Sequence, residues 1–201
     1  MRQKFIVVLF STLLFGCSLK TVGEATEQLA ITRVNAPFAP GSITVAVQGD
    51  PDLNSLKGIA NSCTILIIQS QEVDTLRTVL SDQIALKSLF NGNGTQNDIL
   101  KVDYYAAMPG QNTTLHIDRS ENARFFAIIA GYYPFPKRQH MVLAKIPVET
   151  TRFGLLIHHW KAELMPIKLK LRLGGSSIIS IDGENQEPFE ATIDSELDKG
   201  S

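Results

Sequence analysis

The chain has 201 residues, of which 44% are hydrophobic and 19% charged, and its formal net charge is −1. This length predicts one domain with tails, and the composition supplies enough apolar material for a core, which excludes global disorder. Because no excess of basic residues is present to neutralise a phosphate backbone, we expect no nucleic-acid partner.

The first 16 residues have the pattern of a targeting signal. Arg2 and Lys4 form a short positive region, and residues 5–15 form an apolar run of 11 residues. A membrane-spanning helix needs about 20 residues, so this run fits the apolar region of a signal peptide. The usual small-residue cleavage site is missing, and Gly16 and Cys17 stand in its place.

Cys17 has two interpretations. The run Leu14-Phe15-Gly16-Cys17 resembles the lipobox of bacterial lipoproteins, in which the peptide is cut before the cysteine and the cysteine is acylated. This resemblance implies that residues 1–16 are a signal peptide and that Cys17 is the lipidation site. The alternative is a secreted protein with a Cys17–Cys63 disulfide. Cys63 lies in an apolar run, so we expect it to be a buried, unreactive thiol.

The segment that follows is predicted to be a tether. Residues 18–41 show no sustained periodicity and contain Pro37, Pro40 and Gly41. We therefore assign residues 17–41 to a lipidated N-terminus and flexible tether, within which residues 26–34 are left open as a short element.

Residues 42–182 are predicted to form the folded domain. Alternating or continuous apolar runs indicate about eight short strands separated by turns, which is typical of a two-sheet antiparallel β-sandwich. These predicted strands lie at residues 43–48, 63–69, 101–107, 112–118, 124–132, 141–146, 167–173 and 176–181.

Other segments add detail to this domain. The third and fourth strands are expected to form a hairpin around the turn at residues 108–111. Residues 151–163 are either an extra strand or a loop packed on the sandwich. The tail at residues 183–201 is rich in acidic residues and is predicted to be disordered. Residues 71–90 are predicted to form one amphipathic helix after the second strand, because apolar residues recur there at three- and four-residue steps: Val73, Leu76, Leu80 and Ile84.

The sequence does not indicate an enzyme. It contains no G-x-S-x-G, G-x-x-x-x-G-K-[ST] or H-E-x-x-H motif, which carry nucleophilic, phosphate-binding and zinc chemistry. His158 and His159 would point to opposite faces of a strand and could not share a metal. His116 is expected to face solvent, and residues 118–121 are expected to form a solvated turn. We expect no cofactor and no metal.

Two loops are candidates for binding. Residues 48–62 are longer than a tight hairpin requires, and long loops on a rigid β-scaffold commonly carry binding sites; a tolerated insertion is the alternative. Residues 132–140 combine aromatic residues, two prolines and two adjacent basic residues, and form either a rigid contact surface or a stiffened turn. The first loop carries apolar residues that look exposed among polar ones: Leu53, Leu56 and Ile59 among Asp50, Asp52, Asn54 and Lys57.

The order of these parts resembles the TssJ (SciN-like) family, the outer-membrane lipoproteins of type VI secretion systems, over residues 14–183. The resemblance rests on the lipobox, on a Pro-Gly turn before a Thr/Leu-rich strand, and on an acidic-Ala-Arg-aromatic step that leads into a small, apolar strand. It rests also on the strand that ends at Pro147 and on the closing run "KLKLRLGGSSIISIDG".

The resemblance implies a transthyretin-like sandwich with an added helix, held by acylated Cys17 in the outer membrane and facing the periplasm; Ser18 after the cysteine agrees with that location. It also implies docking to the periplasmic C-terminal domain of the inner-membrane TssM (IcmF-like) component, which ties the membrane complex to the outer membrane. The loop at residues 49–62 would make that contact. The implied partner-binding residues are Asp50, Asp52, Leu53, Asn54, Leu56, Lys57 and Ile59.

Three features depart from the family pattern. Residues 58–62 lack a proline, Tyr132-Tyr133-Pro134 replaces an aromatic-Arg step, and residues 151–163 look like extra length. We expect these differences to affect partner specificity. A lipoprotein sandwich in the periplasm that binds a small ligand or glycan in a pocket is the alternative function.

Overall fold

The computed structural model describes residues 23, 25–93 and 98–183. The predictions for the signal peptide, for Cys17 and for nearly all of the acidic tail lie outside these residues. Among the described residues, no helix is long and apolar enough to cross a membrane. The elements are α1 (Glu27–Thr32), β1 (Ala39–Gly49), β2 (Cys63–Ser70), α2 (Val73–Ser81), α3 (Gln83–Phe90), β3 (Ile99–Ala107), β4 (Asn112–Arg119), β5 (Phe125–Gly131), a 3-10 turn (Arg138–His140), β6 (Met141–Lys145), β7 (Val148–Phe153), β8 (His159–Leu164), β9 (Ile167–Leu173) and β10 (Ile178–Gly183).

Eight of the ten strands form two four-stranded sheets. The first sheet has the order β10-β9-β1-β4 and the second has the order β3-β2-β5-β6, while β7 and β8 pair only with each other. β1 and β9 run parallel, and the other pairs are antiparallel. The predicted mainly β, two-sheet sandwich is confirmed, with ten strands in place of about eight.

Strand patterning explains both cores. β9 alternates strictly, with its apolar residues buried and its basic residues exposed, so it contributes one face to the core between the sheets. β2 is apolar on both faces: Ile65 and Ile67 lie in the core between the sheets, whereas Leu66 and Ile68 lie in a second core. The second core also contains buried residues of α2 and α3, so the two helices cover the outer face of the sheet β3-β2-β5-β6.

The single predicted helix at residues 71–90 is two helices. Asp82 follows the last residue of α2 and caps α3, because its Oδ1 accepts hydrogen bonds from the backbone N–H groups of Ile84 (2.8 Å) and Ala85 (3.1 Å). The extended backbone of Asp82 (φ −95°, ψ 105°) ends α2, its side chain starts α3, and Ile84 is 80% exposed instead of continuing the apolar stripe.

The predicted hairpin of β3 and β4 is wrong. β3 pairs with β2, whereas β4 pairs with β1, so the turn at residues 108–111 crosses from one sheet to the other. The solvated turn predicted at residues 118–121 is also wrong in part, because Arg119 is buried and its Nη2 donates to the carbonyl oxygen of Pro37 (3.0 Å).

Part of the predicted tether is packed on the sandwich. Residues 27–32 form α1, and the guanidinium of Arg124 donates to the carbonyl oxygens of Thr32 and Val34, both at 2.8 Å. β1 then begins at Ala39. Only the residues before α1 therefore remain available to act as a tether.

The sandwich has two opposite ends. β1 and β9 run parallel and both finish at one end, where residues 50–62, 108–111, 132–140 and 174–177 connect the strands; we call this the loop end. α1 and the β7–β8 hairpin lie at the opposite end, which we call the N-terminal end. Residues 43–49 of β1 run between the two ends and span about 20 Å, so the ends are at least that far apart.

Candidate functional site

The long loop at residues 50–62 is fixed to neighbouring connections by hydrogen bonds of its first residue, Asp50. The backbone N–H of Asp50 donates to the carbonyl oxygen of Leu173 (2.8 Å), and its own carbonyl oxygen accepts the N–H of Gly110 (3.1 Å). Its carboxylate accepts two hydrogen bonds from Arg172, at 2.9 and 3.1 Å. This bidentate contact raises the pKa of Arg172 and joins the loop to β9.

Leu53 does not lie on the surface as predicted. It is fully buried in the core between the sheets. Its N–H donates to the carbonyl oxygen of Asp50 (3.0 Å), and its carbonyl oxygen accepts the N–H of Asn61 (2.8 Å). The prediction of exposure is wrong because the loop folds back over the sandwich and inserts this leucine between the sheets. Leu53 therefore fixes the loop from inside.

Asn54 is a second internal fixing point. Its buried side chain donates to the carbonyl oxygen of Ser62 (2.8 Å) and accepts the backbone N–H of Tyr133 (2.9 Å). It has a φ of 47°, a left-handed conformation that asparagine tolerates better than most residues. The next residue, Ser55, donates its N–H to the carbonyl oxygen of Gly175 (2.7 Å), so the loop contacts two neighbouring connections.

The outer part of the loop is a miniature hairpin. The backbones of Leu56 and Ile59 exchange two hydrogen bonds, at 2.9 and 3.0 Å. Between them, Lys57 and Gly58 both have positive φ, 52° and 80°, which is the signature of a type I′ turn. The amide of Asn61 donates to the carbonyl oxygen of Ile59 (2.8 Å) and supports the tip from below.

This tip presents apolar side chains on a backbone that is already ordered. Ile59 is 69% exposed, and Leu56 is also exposed. An ordered loop loses less conformational entropy on binding than a flexible one, so preorganisation favours affinity. The seven predicted partner-binding residues therefore divide into three groups. Leu53 and Asn54 are internal, Asp50 is tied to Arg172, and the outer surface carries Asp52, Leu56, Lys57 and Ile59.

The loop at residues 132–140 supports the same end. The hydroxyl of Tyr132 lies 2.7 Å from the carbonyl oxygen of Ser177 and 3.0 Å from that of Gly174, so this buried ring fixes the turn between β9 and β10. Two exposed apolar residues at this end, Tyr133 and Met108, were not selected individually from the sequence. They come near the long loop only through tertiary contacts, for which no local pattern exists.

His140 is a buried histidine that is expected to make stability depend on pH. Its Nδ1 accepts the N–H of Lys137 (3.0 Å), so Nε2 carries the proton that it donates to the carbonyl oxygen of Ser176 (2.9 Å). Burial lowers the pKa of His140 below its ordinary value of 6.5. Between this lowered pKa and about pH 6.5, the unfolded chain therefore binds a proton that the folded chain does not.

We therefore expect the free energy of unfolding to be highest above about pH 6.5, to fall as the pH drops from there to the lowered pKa of the folded state, and to level off below it. Urea unfolding at a series of pH values measures this slope, and His140→Gln is expected to make it shallower. The matched variant His116→Gln removes an exposed imidazole from β4 and serves as the control. An unchanged slope in His140→Gln would show that another group carries the effect.

The described residues offer little chemistry beyond binding. Burial raises the pKa of Cys63 to about 12, so this free, fully buried thiol is not a nucleophile at neutral pH. Across residues 23, 25–93 and 98–183, no group of three or more His, Cys, Asp or Glu side chains is placed to hold a metal ion. His116 is exposed, as predicted.

A family match agrees with this arrangement. The model of a protein family described as type VI secretion lipoprotein, which includes VasD, EvfM and TssJ, matches residues 41–174. The match runs from within β1 to just past the end of β9 and includes the whole of the long loop. No curated protein sequence matches the chain.

Solved structures share the fold at low identity. The chain is similar to the type VI secretion lipoprotein TssJ1 from Pseudomonas aeruginosa, with a TM-score of 0.52 and 15% identity over 76% of this chain and 99% of that one. It is similar to Serratia marcescens Lip, described as a membrane-bound component of the type VI secretion system, with a TM-score of 0.50 and 16% identity over 74% and 99%. The chain is also similar to a structure described as the TssM C-terminal domain from EAEC, with a TM-score of 0.50 and 17% identity over 70% of this chain and 96% of that one.

Proposed function

Because the chain belongs to the family of type VI secretion lipoproteins, we propose that its loop end docks the periplasmic C-terminal domain of the inner-membrane TssM (IcmF-like) component. We also propose that acylated Cys17 anchors the chain in the outer membrane, so that the sandwich faces the periplasm and ties the membrane complex to the outer membrane. Members of this family are structural lipoproteins of the secretion system, and the protein is not an enzyme.

The observation that carries the docking proposal is the exposed apolar tip formed by Leu56 and Ile59. Exposed aliphatic side chains on an ordered loop are suited to fill a pocket on another protein, and such central apolar contacts dominate the energy of many interfaces. Lys57 in the turn of this tip and Asp52 earlier in the loop are exposed and carry opposite charges, which suits a polar rim that excludes water and sets specificity. A similar structure described by the name of the TssM C-terminal domain supports the choice of partner.

The distribution of elements supports the anchoring proposal. The described chain begins at the N-terminal end, where α1 packs, whereas the apolar tip lies at the loop end. A lipid anchor attached before α1 would therefore leave the docking loop on the far side of the sandwich from its attachment point. This polarity is what a protein that spans from a membrane surface to a periplasmic partner requires.

Docking is tested by purifying the tagged chain from membranes of its own organism. We expect TssM to co-purify with the wild-type chain and to be lost when residues 56–59 are replaced by a two-glycine turn. Recovery of TssM in equal amounts from both forms would reject the loop end as the docking site, and absence of TssM from both would reject the partner.

Anchoring has its own prediction. Cys17→Ser is expected to abolish labelling by radioactive palmitate and to release the chain from the membrane fraction, because two or more acyl chains are needed for stable anchoring. Cys63→Ser is the matched control and should keep full labelling, since Cys63 is buried. Palmitate label retained in Cys17→Ser would contradict the lipidation site.

The described residues give little support to the alternative of a ligand-binding pocket. A cleft of about 220 Å³ lies under α1 at the N-terminal end, between α1, β5, β6 and the β7–β8 hairpin. Pockets for small molecules usually measure about 300–1,000 Å³, so this cleft is small. The space between the two sheets is filled by buried apolar side chains.

A further inference from the structure

The β7–β8 hairpin carries a strongly exposed apolar tip at the N-terminal end. Phe153 pairs with His159, so residues 154–158 form its loop; we call these five residues the apolar finger. Leu155 is 99% exposed and Leu156 is 96% exposed, and Ile157 is largely exposed too. Three consecutive aliphatic residues fully in water are unfavourable unless another surface covers them.

The backbone holds these side chains outward. Gly154 has a φ of 100°, and a Cβ at this position would collide with the carbonyl oxygen of Ile157, so the turn requires glycine. β7 has six residues and therefore projects by about 17 Å. α1 packs against the arms of the hairpin, and Thr150 donates to the carboxylate of Glu27 (2.6 Å), which leaves the finger itself uncovered.

Residues beside the finger have the character of an interfacial belt. Trp160 lies two residues after the finger, and the guanidinium of Arg152 stacks over its ring, 6.0 Å from the centroid. His158, the last residue of the finger, and Lys161, which follows Trp160, have exposed polar side chains. Lys161 forms an ion pair with Glu163. Tryptophan and basic side chains are the residues that favour the boundary between acyl chains and water.

Gly23 lies against the base of the finger. A Cβ at Gly23 would lie 2.6 Å from atoms of both Phe153 and His159, so Gly23 is in close contact with the hairpin. Cys17 is six residues earlier, and six residues of extended chain reach at most about 22 Å. The predicted lipidation site and the finger are therefore tethered within a short distance of each other.

We infer that the apolar finger inserts into the periplasmic leaflet of the membrane that holds the acylated Cys17, and so acts as a second contact with the lipid surface. This inference rests on the proposed anchoring. The finger and the acyl chains would together hold the sandwich in one orientation, with the loop end directed away from the bilayer. A single flexible attachment would leave that direction unspecified.

A lipid surface suits the finger better than a protein partner does. Three aliphatic side chains at the end of a projecting hairpin cover far less area than the roughly 800 Å² per partner that a standard protein interface buries. Their shape is convex, with an aromatic and cationic belt behind it, whereas protein contacts at this size need a matching pocket. Neighbouring acyl chains accept such a tip without a specific receptor site.

The test uses Trp160, the single tryptophan of the chain, as its own probe. The full-length acylated protein is reconstituted into phosphatidylethanolamine–phosphatidylglycerol vesicles, with and without bromine atoms on the acyl chains. Brominated lipid is expected to quench Trp160 emission roughly twofold, because the ring would lie at the acyl boundary. In the variant Leu155→Ser, Leu156→Ser, Ile157→Ser the quenching is expected to disappear.

Ile84→Ser is the matched control, since it removes a largely exposed isoleucine from α3 and should leave the quenching unchanged. Circular dichroism of the triple variant checks that the sandwich is retained. If this variant does not fold, the quenching of Trp160 in the wild-type protein still tests the inference. Acylated wild-type protein with unquenched Trp160 would overturn the inference while leaving the anchor intact. A chain that carries no acyl group on Cys17 would overturn the anchor and the inference together.

Discussion

Replacement of Leu56 and Ile59 by serine is expected to weaken binding to the TssM periplasmic domain by at least about 100-fold. The two side chains are exposed in the free protein, and the turn between them already has its left-handed backbone conformation. Apolar anchors at the centre of an interface each contribute about 2 kcal/mol or more, and their effects are not fully additive. Isothermal titration calorimetry of the two purified partners measures the loss directly.

Stability should not change in this double variant, because both side chains face solvent and Lys57 and Gly58 keep the turn. Surface substitutions of this kind usually alter the free energy of unfolding by no more than about 0.5 kcal/mol. Ile84→Ser serves as the control, since it removes an exposed isoleucine from a helix away from the loop end. Equal affinity of the double variant and the wild type would reject the tip as the docking surface.

Leu53→Ala is expected to have the opposite phenotype. Leu53 is fully buried between the sheets, and truncation of such a leucine costs about 2–5 kcal/mol through lost burial and the cavity left behind. Urea unfolding monitored by circular dichroism gives the change. The identical substitution at Leu56, three residues away and exposed, should cost about 0.5 kcal/mol or less.

This pair separates support of the loop from contact with the partner. Leu53→Ala should lower stability strongly, whereas Leu56→Ala should lower affinity and leave stability nearly unchanged. Similar stability losses in both variants would mean that the tip is packed rather than presented, and the distinction between internal and outer loop residues would fail.

The apolar patterns of the strands predicted much of the fold from the sequence. Strict alternation in β9 and the continuous apolar run of β2 predicted which residues are buried, because each pattern follows from how side chains alternate along a strand. The sheet to which each strand belongs is not encoded locally. β3 and β4 flank a turn with Pro and Gly and look like a hairpin, yet each pairs with a different strand.

Local capping chemistry and tertiary packing account for the other differences. The apolar stripe of residues 73–84 suggested one helix, but the carboxylate of Asp82 caps a new one, and an N-cap signal can override a continuous stripe. Leu53 stands in a polar run and looked exposed, and only the folded loop shows that it enters the core. Arg119 looked solvated, but it is buried, and its partner is the carbonyl oxygen of Pro37, 82 residues away in sequence.

The candidate site was only partly predictable for the same reason. Loop length indicated the region, since an oversized connection on a rigid scaffold is a common site of binding. The division of its residues into internal supports and an outer tip depends on hydrogen bonds to the carbonyl oxygen of Gly175 and from the N–H of Tyr133, and both residues belong to distant connections. The exposure of the apolar finger likewise follows from the pairing of β7 with β8, a segment whose structure the sequence left open.

Site-specific photo-crosslinking in intact cells tests the central claim most directly. A photoreactive residue is placed at Lys57, at the tip of the long loop, or at His116, which is exposed on β4. The account predicts a covalent adduct with the periplasmic domain of TssM from position 57 and none from position 116. An adduct with TssM from position 116, together with none from position 57, would contradict docking through the loop end.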